Sequence, residues 1–437
     1  MKNAKIMGGL FLSAFMTCIL AACSSSGSIS STEASSTSEP AYDWGHISDT
    51  TITIWGDSVS LQREYYKKAF ERYEEMTGNT IETKGYSIEE FEENRARIKA
   101  GTLERPDILI SQGGTNLDPY DPETNFYDFT DAPWVDDLTN IAVNQTIYNG
   151  KVIGLPHAEA SISGTLYNKQ IFEKCGLDLP ENQDEFMEVC EALKQKGYTP
   201  MYFPYADLFF FYQFPMDSIV ADEATLNALN DFSLSYADIP EMEKIISWYR
   251  VMADKGYFGD NYMENMAAGR AEAMQSGKYA MMLGWDVWLY TDLKQDAEKF
   301  GLMPAFVGTP ENGSFEGPNL ALLTVNKNSP RLDAALDLIT FMADPYNYNV
   351  AFEGLYTAPV FKHQVKSIST PQYVETEQLI EKLYYDAGAR LRIRGFSLSD
   401  ATYIQKYMQD PSYTAEQCLT DMNNERIKRG MNSKQLP

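Results

Sequence analysis

The chain is poor in the residues that build metal centres and disulfide scaffolds, with five cysteines and three histidines among 437 residues. No C-x-x-C pair occurs, which excludes a zinc ribbon or thioredoxin-like redox motif, and the cysteines are too scattered for a disulfide framework. His46, His157 and His363 stand far apart, and no H-E-x-x-H or clustered His/Cys set accompanies them. A G-x-S-x-G elbow, a G-x-x-x-x-G-K-[ST] loop and a G-x-G-x-x-G turn are all missing. No run of Lys and Arg is long enough to grip a phosphate backbone. With 62 acidic against 36 basic side chains and a formal charge of −26, nucleic-acid binding is disfavoured. Asp118, Asp121, Glu123 and Asn125 crowd one stretch, but their spacing misses the EF-hand pattern and reads as a solvated acidic loop.

Apolar residues are plentiful. At 44% hydrophobic, 13% aromatic and 22% charged, the composition is that of a packed globule rather than a disordered chain. The length exceeds what one hydrophobic core usually serves, so two lobes or domains are expected.

The N-terminus carries an address. Lys2 and Lys5 precede a largely apolar stretch from Ile6 to Leu20, too short to span a bilayer but suited to the h-region of a signal peptide. Leu20-Ala21-Ala22-Cys23, followed by serines, resembles the bacterial lipobox, in which the cysteine is acylated after cleavage. Residues 1–22 are therefore expected to be a lipoprotein signal peptide, with Cys23 the lipidation site. An ordinary signal peptide with a chance cysteine is the alternative. Residues 23–49 are expected to form a Ser-rich tether, within which Ser24–Pro40 would be a flexible coil of about 20–25 Å by the usual scaling. The body would then sit outside the cytoplasm, anchored to the bacterial cell membrane by its lipid. Of the remaining Cys175, Cys190 and Cys418, at least one is a free thiol. Inert buried thiols are expected, with a Cys175–Cys190 bridge as the alternative.

Patterning orders the body. Thr51–Ile54 reads as a strand, Leu61–Met76 as an amphipathic helix stopped by Gly78, and a second strand starts near Ile81. Ser87-Ile88-Glu89-Glu90 is a capping box opening a helix to Ala100, and Ile108–Ile110 is a third strand. This alternation implies a parallel sheet, with ligands outside the carboxyl ends of its strands. Trp55–Ser58 and Ser111–Asn116 sit there. Further on, helices are expected over Asn168–Cys175, Asp184–Lys196, Met242–Met252, Ala268–Ser276 and Arg331–Ala343, with strands over Tyr279–Leu283 and Ala321–Val325.

Sugars offer apolar C–H faces and many hydroxyls, so an aromatic ring beside Asp, Asn, Gln or Glu suits them. Trp55 with Asp57, and Trp285 with Asp286, have this form, core packing being the alternative for each tryptophan. The abundant acids also allow many carboxylate pairs for glycoside hydrolysis, none singled out by spacing.

Asn149-Gly150-Lys151-Val152-Ile153-Gly154-Leu155-Pro156, then Leu166-Tyr167-Asn168-Lys169-Gln170-Ile171-Phe172, resembles the signature of extracellular solute-binding proteins of the maltose-binding type. Pro106-Asp107, Leu179-Pro180 and Gly284-Trp285 agree with it, whereas the tail from Phe361, with Arg390, Arg392 and Arg394, has no matching motif. The resemblance implies an α/β, two-lobed periplasmic-binding-protein-like fold, its hinged lobes each a mostly parallel sheet flanked by helices. Lobes of 50–155 plus 305–345 and 156–302 plus 346–437 are expected, with hinges near Pro156–Glu159, Met303–Val307 and Asp344–Asn349. The implied ligand positions are Trp55, Asp57, Gln112, Glu159 and Trp285, to which cleft position and chemistry add Asp286, Asn319 and Tyr356. No catalytic residue, metal or cofactor is expected. The implied function is capture of a mono- or oligosaccharide by a monomer that delivers it to ABC permease subunits. A surface glycosidase and a ligand sensor docking on a receptor are the rivals, and an anionic ligand stays open.

Overall fold

The computed structural model describes residues 40–434, Gly101 and Asn319 excepted. The expected signal peptide, Cys23 and most of the tether lie outside the described residues.

Local signals account for the elements that flank the cleft. Gly78 takes a left-handed φ of 77° and ends the helix Glu64–Thr77, whose buried face carries Tyr65, Tyr66, Ala69, Phe70 and Tyr73. Ser87 and Glu90 form the expected capping box, each side chain satisfying the other's backbone N–H, and start the helix Ile88–Lys99. Asn168 and Asn182 cap Lys169–Cys175 and Gln183–Gln195 by accepting first-turn backbone N–H groups on their side-chain oxygens.

The strands assemble into two main sheets. The first runs Thr80–Tyr86, Thr51–Asp57, Ile108–Gln112, Ala321–Val325, Leu155–Pro156. Its first three strands are parallel, and Ala321–Val325 enters antiparallel. The second runs Tyr384–Tyr385, Phe315–Glu316, Ser163–Asn168, Tyr279–Trp285, Thr199–Tyr202, with Phe300–Met303 also paired to Ser163–Asn168. Antiparallel pairs appear in both sheets because the chain passes between them and returns, so strands arriving from the other sheet run against their neighbours. Two apolar centres form, the first reaching from the first sheet onto one face of the second through Leu166, Met282 and Phe315. Ile52, Ile54, Ile108, Leu323 and Leu338 are fully buried in one, and Phe186, Leu193, Phe203, Ile245 and Phe306 in the other. Burial of side chains of this size stabilises by about 1.5–3 kcal/mol each. The result is a two-lobed, periplasmic-binding-protein-like α/β fold.

The division does not follow the ranges expected from sequence. Met303–Val307 is not a passage between sheets: Ala305 exchanges backbone hydrogen bonds with Ser314, and Phe306 packs in the second centre against Phe186. Nor does Asp344–Asn349 cross, since Asp344 caps the helix Pro345–Ala351 and Arg72 of Glu64–Thr77 donates to Asn347. Sequence spacing locates the segments but not the sheet each one joins, which is set by tertiary contacts such as Phe306 on Phe186 and Arg72 to Asn347.

Cys175, Cys190 and Cys418 are free and buried. Burial pushes the Cys190 thiol well up and the Cys418 thiol to about 12, which makes both unreactive. No helix among the described residues is long and apolar enough to cross a membrane.

Candidate ligand-binding cleft

Three segments pass between the sheets. The first, 157–162, follows the first-sheet strand Leu155–Pro156 and enters Ser163–Asn168; the second, 317–320, joins Phe315–Glu316 to Ala321–Val325. The third leaves the helix Pro345–Ala351 and reaches Pro371–Leu383, where Thr376 donates to the Leu302 carbonyl. The first and third are tied side by side, by Ala358 N–H to the Ala160 carbonyl at 2.7 Å and Ala160 N–H to Thr357 Oγ1 at 2.9 Å. Strand ends from both lobes converge around this bundle.

On the first-lobe side, Asp57 and Gln112 end their strands in exposed positions. Asp57 Oδ1 accepts from Val59 N–H at 3.0 Å and Ser60 N–H at 2.9 Å, so part of the carboxylate is occupied in holding the turn that follows. Trp55 is half-buried, edge-on to Tyr86 at 5.0 Å, with Lys84 Nζ 5.6 Å from its ring centre. Glu159 lies on the first crossing, where desolvation pushes its carboxyl up and the Arg63 charge opposes the shift.

On the second-lobe side, Trp285 closes its strand with only 8% exposure. Phe209 lies 5.0 Å from it and Trp288 4.6 Å, and the Arg390 guanidinium sits 5.5 Å over Phe209. Arg270 lies 4.3 Å over Trp288 and is itself paired with Asp292 at 2.6 Å. Tyr356 is half-buried with Tyr290 at 4.0 Å between centroids.

Asp286 corrects the sequence reading. It is fully buried, accepting from Ile162 N–H at 2.8 Å and Thr370 Oγ1 at 2.5 Å. Desolvation pushes its carboxyl up to about 6. Its oxygens join the first crossing to the cap of Pro371–Leu383 rather than meeting a ligand. Asn319 lies outside the described residues.

The sequence reading missed Arg63 and gave Arg390 no role. Arg63 precedes a helix without any motif, and only folding brings its charge to Glu159. Phe209 was one of a run of aromatics, and nothing local distinguishes the ring that reaches Trp285. Next to Glu159, His157 is wholly buried among Tyr65, Tyr66, Tyr348 and Phe352, and burial depresses it to about 3. It is a neutral packing residue at the hinge. Beside the second crossing, a crevice of about 670 Å³ opens between first-lobe residues such as Gly114 and Asn144 and second-lobe residues such as Asp217, Arg392 and Arg394. Among the described residues no three His, Cys, Asp or Glu side chains converge as a metal site.

Two hinged α/β lobes with an aromatic floor on one side of the gap agree with the relatives this chain has. It is 24% identical over 258 residues to the multiple sugar-binding protein of Streptococcus mutans, a match spanning 57% of this chain and 60% of that protein. Over 368 residues it is 25% identical to the melibiose/raffinose/stachyose-binding protein MelE of Bacillus subtilis, covering 77% of this chain and 82% of MelE. The solved structure of the Bacillus subtilis binding protein MsmE, in an open conformation, superimposes with a TM-score of 0.74 at 19% identity, covering 88% of this chain and 98% of MsmE. Residues 68–378 match the family described as bacterial extracellular solute-binding protein, and because that match takes in most of the chain, the protein belongs to this family.

Proposed function

We propose that the protein captures an oligosaccharide outside the cytoplasm and delivers it to the permease of an ABC importer. What supports this reading is the Trp285–Phe209–Trp288 cluster beside Arg390, at a strand end paired with the strand that leaves the first crossing, together with Asp57 and Gln112 at first-lobe strand ends and Glu159 on that crossing. Aromatic faces suit the C–H surfaces of pyranoses, and carboxylate and amide oxygens suit their hydroxyls. Trp285 and Trp55 would stack on sugar rings, with Tyr356 at the margin. Two relatives named for sugar binding support the ligand class. Closure would follow from a ligand that contacts both lobes, because such a ligand binds the closed form better than the open one. Acylation of Cys23 would hold the body at the membrane surface, where the permease reads the closed state.

The test is a thermal-shift screen of the full chain against melibiose, raffinose, stachyose and common monosaccharides. A true ligand at a hundred times its Kd should add about 2.7 kcal/mol of stability. No shift with any sugar would sink the reading. New reducing ends after incubation with the tightest oligosaccharide would instead favour a glycosidase.

A further inference from the structure

Asp217 and Glu316 are buried together in the second lobe, 2% and 4% exposed. Asp217 belongs to the helix Gln213–Val220, and Glu316 ends the strand that leads into the second crossing. Asp217 Oδ1 accepts the Ala389 N–H at 2.7 Å, while its Oδ2 finds no donor among the described residues. Glu316 accepts from Ser163 Oγ at 3.3 Å and lies against Asp217. An orphaned buried oxygen whose neighbour is another carboxyl is satisfied in one way, by a proton held between the two. Asp217 O–H then donates to Glu316.

The pair is coupled to the cleft through one short segment. Ala389, held by Asp217, immediately precedes Arg390 in Gly388–Arg392, and Arg390 is the guanidinium over Phe209. Arg390 is also the main charge opposing the upward shift of Glu316. Asp386 and Tyr384 face Asp217 from the preceding segment, and Asp386 adds to the upward push on it. Glu223, ion-paired with Arg392, and then Arg394 and Asp118 stand further round the crevice that Asp217 lines. With one proton, the pair and Arg390 are electrically balanced. Without it, two buried negative charges repel each other and draw the guanidinium toward themselves.

We propose that Asp217 and Glu316 are a proton-sharing positioning pair: with the proton in place they hold Arg390 against Phe209 in the ligand cleft, and its loss to solvent withdraws Arg390 and weakens binding. This rests on the reading of the Trp285–Phe209 face as the sugar site. Burial raises both carboxyls, and the charge of Glu316 raises Asp217 further while Arg390, Ser163 and the hydrogen bond from Asp217 restrain Glu316, so the proton is lost as pH rises.

The experiment uses raffinose as the probe on the full chain, wild type and Glu316→Gln. The amide keeps the acceptor for Ser163, donates to an ionised Asp217, and leaves a single fixed charge beside Arg390. Raffinose affinity in the wild type should fall by about fivefold or more from neutral to about pH 9, and in Glu316→Gln it should stay within about twofold. Infrared difference spectra at neutral pH should show a protonated-carboxyl band in the wild type that Glu316→Gln and Asp217→Asn lack. Absence of that band overturns the shared proton. Equal pH slopes in wild type and Glu316→Gln overturn the positioning role. If raffinose binds at no pH, the sugar reading fails separately. Tryptophan fluorescence then decides the pair: an alkaline change in the wild type but not in Glu316→Gln supports it, and identical traces overturn it.

Discussion

On the first-lobe rim of the cleft, Asp57 and Gln112 stand in solvent and Trp55 is half covered beside Lys84. On the second-lobe face, Trp285 is 8% exposed, wedged between Phe209 and Trp288, with Asp286 fully buried one residue on. Buried acids occur in both lobes, Asp107 and Asp344 in the first and Asp217, Asp286 and Glu316 in the second, and His157 is buried on the first crossing. The difference between rim and face teaches that one face is built before a ligand arrives and the other is wet. Rings already locked by packing lose little freedom on binding, while exposed carboxylate and amide groups must first give up water. We expect the second lobe to supply most of the affinity and the first lobe to complete the site on closure.

The largest effect expected is structural. Asp286→Ala leaves the Ile162 N–H and the Thr370 hydroxyl unpaired in the interior, which should cost about 2–5 kcal/mol of stability. Sugar affinity of the folded fraction should be nearly unchanged, checked by chemical denaturation beside calorimetry. A specific loss of binding with stability intact would return Asp286 to the ligand site.

Two buried groups should then respond to pH in opposite directions. His157 is depressed to about 3 from about 6.5, so its contribution is full above about pH 6.5 and is lost as pH falls toward 3. Asp286 is raised to about 6, so its contribution is full below about pH 4 and is lost as pH rises to 6. Between these limits the two slopes oppose. His157→Phe removes one of them and should gain roughly 3 kcal/mol relative to wild type as pH falls from about 6.5 to about 4. Melting temperatures across that interval check it, and parallel curves would show that the histidine does not titrate as its burial requires.

Trp285→Ala should weaken oligosaccharide binding by about 1–3 kcal/mol, the range for a buried aromatic anchor. Trp55→Ala should cost less. The reverse order in calorimetry would break the contrast between face and rim. Asp57→Ala should give the smallest change, about 1 kcal/mol of stability from the lost hydrogen bonds to Val59 and Ser60, with a modest loss of affinity.

The parts of this architecture legible in the sequence are those whose cause is local. The capping box at Ser87, the stop at Gly78 and the strand into Trp285 follow from residues a few positions apart. Asp286 was misread for a physical reason. The strand before it is buried on both faces, so alternation carries no sign of which way the next side chain turns. The donors that claim it lie 124 and 84 residues away. The passage expected at Met303–Val307 failed because Ala305 turns back to pair with the nearby Ser314 and Phe306 packs on Phe186 in the second centre, a packing that local pattern does not signal.

By itself the sequence determined the α/β class and the places of the first strands and helices, since periodicity, capping and composition act over a few turns of chain. Only the tertiary structure decided which acids face the gap and which are struts, that Arg390 reaches Phe209, and that Asp217 meets Glu316. Burial and charge depend on neighbours in space, and here those neighbours are far apart along the chain, as Arg390 and Phe209 are.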